Sequence, residues 1–183
     1  LKTTQIVSKL CDSIIKDDTN KPSGHHVYVD RYYNSPQLAE ELETKNMYVT
    51  GTVMQNRQNM PKMQTKKMKR GDIQSFRKKK IGVLCWKDKR PVTMISTKHK
   101  ISKKDMTFVP SKFPDQPPIL KPDAILDYNK HMGGVDRSDH FIANYQFMRR
   151  TRKWYRKMFF WLIEVGVVNA YILFKENQET YGK

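Results

Sequence analysis

Residues 131–139 read His-Met-Gly-Gly-Val-Asp-Arg-Ser-Asp. The glycine pair feeds a helix start that would carry Asp136 and Asp139 in its first turns, three positions apart on one face. Far upstream, Val27-Tyr28-Val29 runs straight into Asp30, an apolar strand ending on a carboxylate. Acids mounted at a strand tip and at a helix start are rigid enough to hold divalent cations for phosphodiester chemistry. Mg²⁺ keeps several waters and takes only one or two carboxylates together with phosphate oxygens. Two such ions ~3.5–4 Å apart activate the attacking oxygen and stabilise the leaving one. That chemistry requires Asp30 and Asp136 to meet in space. Each acid also has a plainer role, Asp136 as a carboxylate favoured by the helix dipole and Asp30 as a strand-end turn residue. Asp127, in Leu-Asp-Tyr, reads as structural. Asp136 and His140, four apart, form with His131 a transition-metal pattern that lacks a third soft ligand. His25-His26 reads as the end of a loop.

The phosphate source follows from charge, with 35 Lys and Arg against 18 Asp and Glu and a net charge of +17. Such a field attracts polyanions, nucleic acid first and anionic membrane second. The bases cluster at 62–70, 77–80 and 149–157. Within these runs Lys66, Lys67, Lys69, Arg70, Arg77, Lys78, Arg149, Arg150, Arg152, Lys153 and Lys157 are the candidate phosphate contacts. The third run interleaves Trp154 and Tyr155 with its bases, as single-strand stacking surfaces do. A helix start with aromatics inward and bases in solvent accounts for the same residues.

At 183 residues, 38% hydrophobic and 11% aromatic, the chain can build one or two small cores. Cys11 and Cys85 stand far apart, which indicates neither a zinc site nor a disulfide framework. No Asn-x-Ser/Thr sequon occurs, in keeping with an intracellular protein. The chain opens on Leu1 in helix-like sequence and reads as a piece of a longer protein without a signal peptide. The apolar run 158–174 would cover roughly 25 Å as a helix, short of a ~30 Å hydrocarbon core. It also holds Glu164 and Asn169, both costly in lipid. A helix buried by protein on most sides is therefore expected, with no membrane partner.

Periodicity gives the elements that must position the acids. Ile6, Val7, Leu10 and Ile14 share one face of a helix running from Thr3 or Thr4 to about Lys16. A strand at 27–30 follows a polar loop. Ser35-Pro36 opens a second helix, cap residue before first-turn proline, which ends near Asn46. A strand at 47–53 completes a βαβ unit, so the two strands should be parallel. Short strands at 73–78, 81–86 and 91–97 then form an antiparallel patch, the last two joined as a hairpin. The proline-rich run 111–122 closes it. After the Gly-Gly turn comes a helix to about Met148, a basic hinge, and a long apolar helix to about Asn177.

Three blocks, in this order, resemble the piggyBac family of transposases. They are Val27-Tyr28-Val29-Asp30-Arg31-Tyr32-Tyr33-Asn34-Ser35, then Asn129-Lys130-x-x-Gly133-Gly134-Val135-Asp136-x-x-Asp139, and Arg152-Lys153-Trp154 before an apolar helix ending Asn169-Ala170-Tyr171. The resemblance implies an α/β fold, an incomplete RNase H-like domain with a β-rich insertion and a C-terminal helical region. Its parts would be 1–53, the insertion 54–122, a closing helix 123–148 and a basic, apolar helical region 149–183. It also implies catalytic Asp30, Asp136 and Asp139, of which Asp30 resembles the second and Asp136 the third metal-holding aspartate, with Asp139 beside it. Arg31 departs from the family, which often has Asn there. The first aspartate has no counterpart, so no strand cleavage by this chain alone is expected. The implied setting is nuclear, with Mg²⁺ or Mn²⁺, double-stranded DNA, a homodimer and no small-molecule cofactor. The rival reading is a domesticated, non-enzymatic DNA-binding or chromatin-associated protein, and a third is a gene relic. Two parallel strands alone would leave an open sheet edge and a half-covered face.

Overall fold

The local code for the first carboxylate's surroundings is written at Ser35-Pro36. In the computed structural model, which describes residues 3–17, 24–102, 104–110, 118–144 and 150–181, the Ser35 hydroxyl accepts the Leu38 amide at 3.1 Å. This caps the helix Pro36–Thr44 (α2), which follows α1 (Thr3–Asp17) and β1 (His26–Val29). Leu38, Ala39 and Leu42 are fully buried on its inner face, and Asn46 ends the turn with φ of 55°. Next come β2 (Tyr48–Thr52), a 3₁₀ turn at Thr65–Lys67, β3 (Ile73–Lys78), β4 (Ile81–Lys87), β5 (Pro91–Ser96), β6 (Met106–Val109) and β7 (Ile119–Pro122). The last three elements are α3 (Asp123–His131), α4 (Gly134–Asn144) and α5 (Trp154–Tyr181).

The chain forms two compact units, Leu1–Met132 and Gly133–Lys183. In the first, β1 and β2 pair in parallel, as the βαβ pattern requires, with Val27 opposite Val49 and Val29 opposite Gly51. The strands from the region read as an insertion join the same sheet, because β5 pairs antiparallel with β2. The sheet order is β1-β2-β5-β4-β3, and β6 and β7 form a separate two-stranded ribbon. That ribbon has no counterpart in the sequence pattern, where 111–122 shows only a proline-rich closure; residues 111–117 lie outside the described residues.

Both faces of the sheet are covered around β4, and its burial shows this directly. Residues 81 to 86 are all buried, the run expected of a strand packed on both sides. Ile81 and Val83 join Val7, Cys11, Leu38, Leu42 and Ile95 in one core beneath α1 and α2. Leu84 and Trp86 join Met94, Ala124 and Ile125 in a second core beneath α3. The half-covered face expected of two strands alone is thus corrected at the middle of the sheet, because the three further strands carry apolar residues on both faces. Cys11 and Cys85 are buried and free, as their spacing implied; burial pushes both thiols up from the usual range.

In the second unit α4 meets α5, with the rings of Phe141 and Tyr171 edge to face at 5.9 Å. The expectation that α5 is buried on most sides is not met. Val168 and Glu164 are buried, but Trp154, Phe159, Leu162 and Leu173 are exposed by 59–71%. An eleven-residue helix extends only about 16 Å against about 42 Å for 28 residues, so it can cover one stripe of α5. The helix is also longer than the apolar run suggested, and 154–178 is long and apolar enough to cross a bilayer by length and composition alone.

Candidate metal and nucleic-acid site

Asp30 sits immediately after β1, exposed at the carboxyl end of a parallel strand, where open α/β sheets place their ligands. Its carbonyl accepts the amides of Tyr33 and Asn34, each at 3.0 Å, which folds the chain into a tight turn. Its carboxylate accepts the Arg31 amide. The turn is pinned from below. Asn34 is wholly buried and donates its side-chain amide to the Gly51 carbonyl at 2.9 Å. Gly51 is needed there, since a Cβ would come within 2.0 Å of the Val29 carbonyl oxygen. The strand tip is therefore a rigid mount for Asp30.

Asp136 lies in the first turn of α4 and Asp139 one turn on, both exposed. The structure brings these two onto one helical face, as their spacing requires. Arg137 closes the helix start by donating its backbone amide and Nε to the Gly133 carbonyl, each at 3.1 Å. Asp30 belongs to the first unit and Asp136 to the second. Among the described residues no group of three His, Cys, Asp or Glu side chains is arranged to hold a metal. His131 is instead engaged by Asp127, with its Nδ1 2.8 Å from the Asp127 carbonyl.

The basic candidates divide by their partners. Lys78 pairs with Glu40 at 3.1 Å and Arg70 with Asp88 at 3.2 Å, so acids of this chain already meet part of their charge. Among the described residues, Arg77 donates to the Lys79 carbonyl at 3.0 Å. Lys66, Lys67 and Lys69 are exposed around the 3₁₀ turn. Arg150, Arg152 and Lys153 are exposed ahead of α5, and Lys157 is exposed in its first turn; Arg149 lies outside the described residues. Trp154 and Tyr155 are exposed by 71% and 51%, so the aromatics of this run face solvent with the bases. No acid stands in that first turn, so bases crowd the positive end of a helix dipole, an arrangement that an anion relieves.

Sequence reading missed a polar network beneath β1. His26 Nδ1 lies 3.3 Å from Lys98 Nζ, and an ammonium only donates, so the hydrogen of His26 is on Nε2. That Nε2 meets the Thr50 hydroxyl at 2.9 Å, Thr50 meets Ser96 at 2.7 Å, and Ser96 meets His99 Nδ1 at 3.0 Å. His99 Nε2 in turn lies 3.2 Å from Asp127 Oδ2, within ion-pair reach of the carboxylate. With the Thr50 and Ser96 hydroxyls turned to suit, the bonds can run in one direction from Lys98 through His26 to His99 beside the carboxylate, and in that arrangement both histidines are neutral. Tyr28 also donates to Asp127, at 2.7 Å, and its ring stacks on His131 with centroids 4.7 Å apart. Burial, then Lys98, lowers the His26 pKa to about 4. Burial lowers that of His99 too. For Asp127 burial works upward, but the Tyr28 bond and the surrounding histidines outweigh it and hold the carboxyl below its ordinary value. The members are scattered from 26 to 131, so no local spacing announces them.

A family model described as Transposase IS4 matches residues 1–171. The chain belongs to this transposase family. Its similarity is to the piggyBac branch. It is 28% identical over 164 residues to the human piggyBac transposable element-derived protein 3, covering 86% of this chain and 28% of that protein. It is 30% identical over 157 residues to the human piggyBac transposable element-derived protein 2, covering 81% and 26%. The fold matches a chain in the cryo-EM structure of a piggyBac transposase synaptic complex with hairpin DNA, with TM-score 0.70, 20% identity, and coverage of 95% of this chain and 36% of that one. This transposase-family chain thus spans about 28% of the length of its first human relative.

Proposed function

We propose that this chain supplies part of a metal-dependent DNA strand-cleavage and joining site on an RNase H-like scaffold. The observation that carries the reading is the mounting of Asp30 at a pinned strand tip, and of Asp136 and Asp139 at a helix start, in a member of a transposase family. Exposed carboxylate oxygens suit a hard divalent cation, so Asp30 and Asp136 would hold Mg²⁺ or Mn²⁺, with Asp139 as a further acid beside Asp136. When bound, the metal supplies activation of the attacking oxygen and charge stabilisation of the leaving one. Lys66, Lys67, Lys69, Arg77 and the bases ahead of α5 would bind the duplex backbone. The nucleus, and a homodimer on DNA, are the setting the reading implies.

Two of the three aspartates the resemblance calls for are found in these residues, so the chain alone should bind DNA without cutting it. Binding without cleavage is also the second reading, of a transposase-derived DNA-binding protein, and the exposed bases favour it independently of the acids. Paramagnetic Mn²⁺ separates the two. In the first reading, low Mn²⁺ broadens the NMR signals of both Asp30 and Asp136, and Asp136→Ala abolishes the effect at Asp30. Broadening at neither aspartate leaves only the binding reading. Nicking of terminal-repeat DNA that disappears in Asp136→Ala would overturn the expected inactivity.

A further inference from the structure

The polar network beneath β1 ties together the two stretches of chain that lead to the candidate metal ligands. On one side are His26 and Tyr28 of β1, which leads directly into Asp30. On the other are Asp127 and His131 of α3, from whose end Gly133-Gly134 leads to Asp136. We propose that this clasp is a positioning device for the metal site, closed while His26 and His99 are neutral and released by their protonation. The proposal rests on the metal reading above.

The geometry makes the clasp sensitive to a single proton. Each histidine uses one ring nitrogen as acceptor, His26 from Lys98 and His99 from Ser96. A proton on the His26 acceptor nitrogen turns it into a donor facing the Lys98 ammonium, and one on the His99 acceptor nitrogen forces the Ser96 hydroxyl, and with it the bond to Thr50, to reverse. At His26 the new charge would also face the Lys98 ammonium. The groups facing His26 are Tyr28 on its own strand, Tyr48 and Thr50 on β2, Lys98 and His99 after β5, and Asp127 and His131 on α3. His99 faces His26, Thr50, Ser96 and Asp127, and Lys98 and Asp123 lie near enough to act on it. Asp127 favours the charged histidines, but burial and Lys98 oppose them, and the balance falls on the neutral side. Asp127, His99 and His26 are thus positioning residues that act through β1 and α3.

The test uses the 183-residue chain, with backbone hydrogen exchange of Tyr28, Val29 and Asp127 followed by NMR near pH 7.5 and pH 5.0, corrected for intrinsic rates. Wild type should lose more than about tenfold in protection at these amides on acidification, because an open clasp takes up protons that the closed one refuses. His99→Gln keeps a donor for Asp127 and cannot titrate, so its loss should be about tenfold smaller. His26→Gln/His99→Gln should respond little to pH. Equal responses in wild type and His99→Gln would overturn the proposal. In parallel, His99→Ala should weaken Mn²⁺ binding about tenfold near pH 7.5, as loss of a residue supporting a ligand does, with His99→Gln restoring it. Mn²⁺ bound equally by wild type and His99→Ala would also overturn it. Failure of the metal reading itself shows differently, as no Mn²⁺ bound by wild type.

Discussion

Tyr28 donates its hydroxyl hydrogen to Asp127 across 2.7 Å, joining residues 99 positions apart in the chain. The bond crosses from the strand that leads directly into Asp30 to the helix that precedes the Gly-Gly turn. Burial and the bond to Asp127 raise the Tyr28 pKa, so the phenol stays a donor throughout the neutral range. Tyr28→Phe keeps the ring stacked on His131 but removes the donor. The expected cost is about 1.5 kcal/mol, the lower end for a bond to a charged group because Asp127 keeps some access to water. Urea denaturation followed by circular dichroism reads it as a lower midpoint at unchanged slope.

Acid should destabilise the fold well above the carboxylate range. His26 and His99 have folded pKa values below the ordinary 6.5, about 4 for His26. The unfolded chain therefore binds protons first, and stability falls as pH drops from about 6.5 towards 4. Each histidine contributes a slope of up to ~1.4 kcal/mol per pH unit in that window. Asp127, whose pKa is lowered from 3.8, adds stability above that value that is lost only in stronger acid. A urea midpoint flat between pH 7 and 5 would contradict the burial of these rings. Asp127→Asn should leave the upper window in place and remove the lower one.

The local signals in the sequence are strong where one short stretch carries its own reason. Ser35-Pro36 announces α2 through a cap and a fixed φ, and the short runs 73–78, 81–86 and 91–97, the last two joined by the hairpin-length connection 87–90, announce three strands with nearly the observed limits. The Gly-Gly-Val-Asp block places Asp136 and Asp139 on one face of α4 because helical spacing admits nothing else. What stays hidden depends on tertiary pairing. Nothing in β2 or β5 says that Thr50 will face Ser96 in a continuous sheet. His26 reads as a loop end because its partners Lys98, His99 and Asp127 lie about 70 to 100 positions away. The exposure of α5 is hidden for a related reason. An all-round apolar sequence states that something must cover it, not which surface does.

Gly51 tests how tightly the strand tip is built. Its Cα stands opposite Val29 in the parallel pair, and a Cβ would strike the Val29 carbonyl oxygen at 2.0 Å. Backbone cannot yield as the end of a long side chain can. Gly51→Ala should cost about 3 kcal/mol or more, the upper range for strain in a packed core. Gly134→Ala, where an added Cβ meets nothing within 4 Å, should be neutral or slightly stabilising, since alanine favours the helix by up to ~1 kcal/mol. The pair of urea midpoints separates loss of a close approach from loss of glycine as such.

Binding to duplex DNA should depend on which bases already have acids. Lys78 sits 3.1 Å from Glu40 and Arg70 3.2 Å from Asp88, so a phosphate must compete with a carboxylate for each. Exposed ion pairs are worth little, about 0–1 kcal/mol, but that is enough to blunt the gain from neutralising a single phosphate. Lys67→Ala and Arg77→Ala should therefore weaken binding more than Lys78→Ala or Arg70→Ala. Removing one base that neutralises a phosphate should make the plot of log K against log salt shallower by about 0.9. The slope guards against a trivial explanation, because a variant that merely unfolds in part binds less without this stepwise change in salt dependence. Glu40→Gln frees Lys78 and should move the slope the other way. If all four alanine variants keep the wild-type slope, these bases form a solvated surface, and the DNA-binding face must be sought at Arg152, Lys153 and Lys157 ahead of and within the first turn of α5.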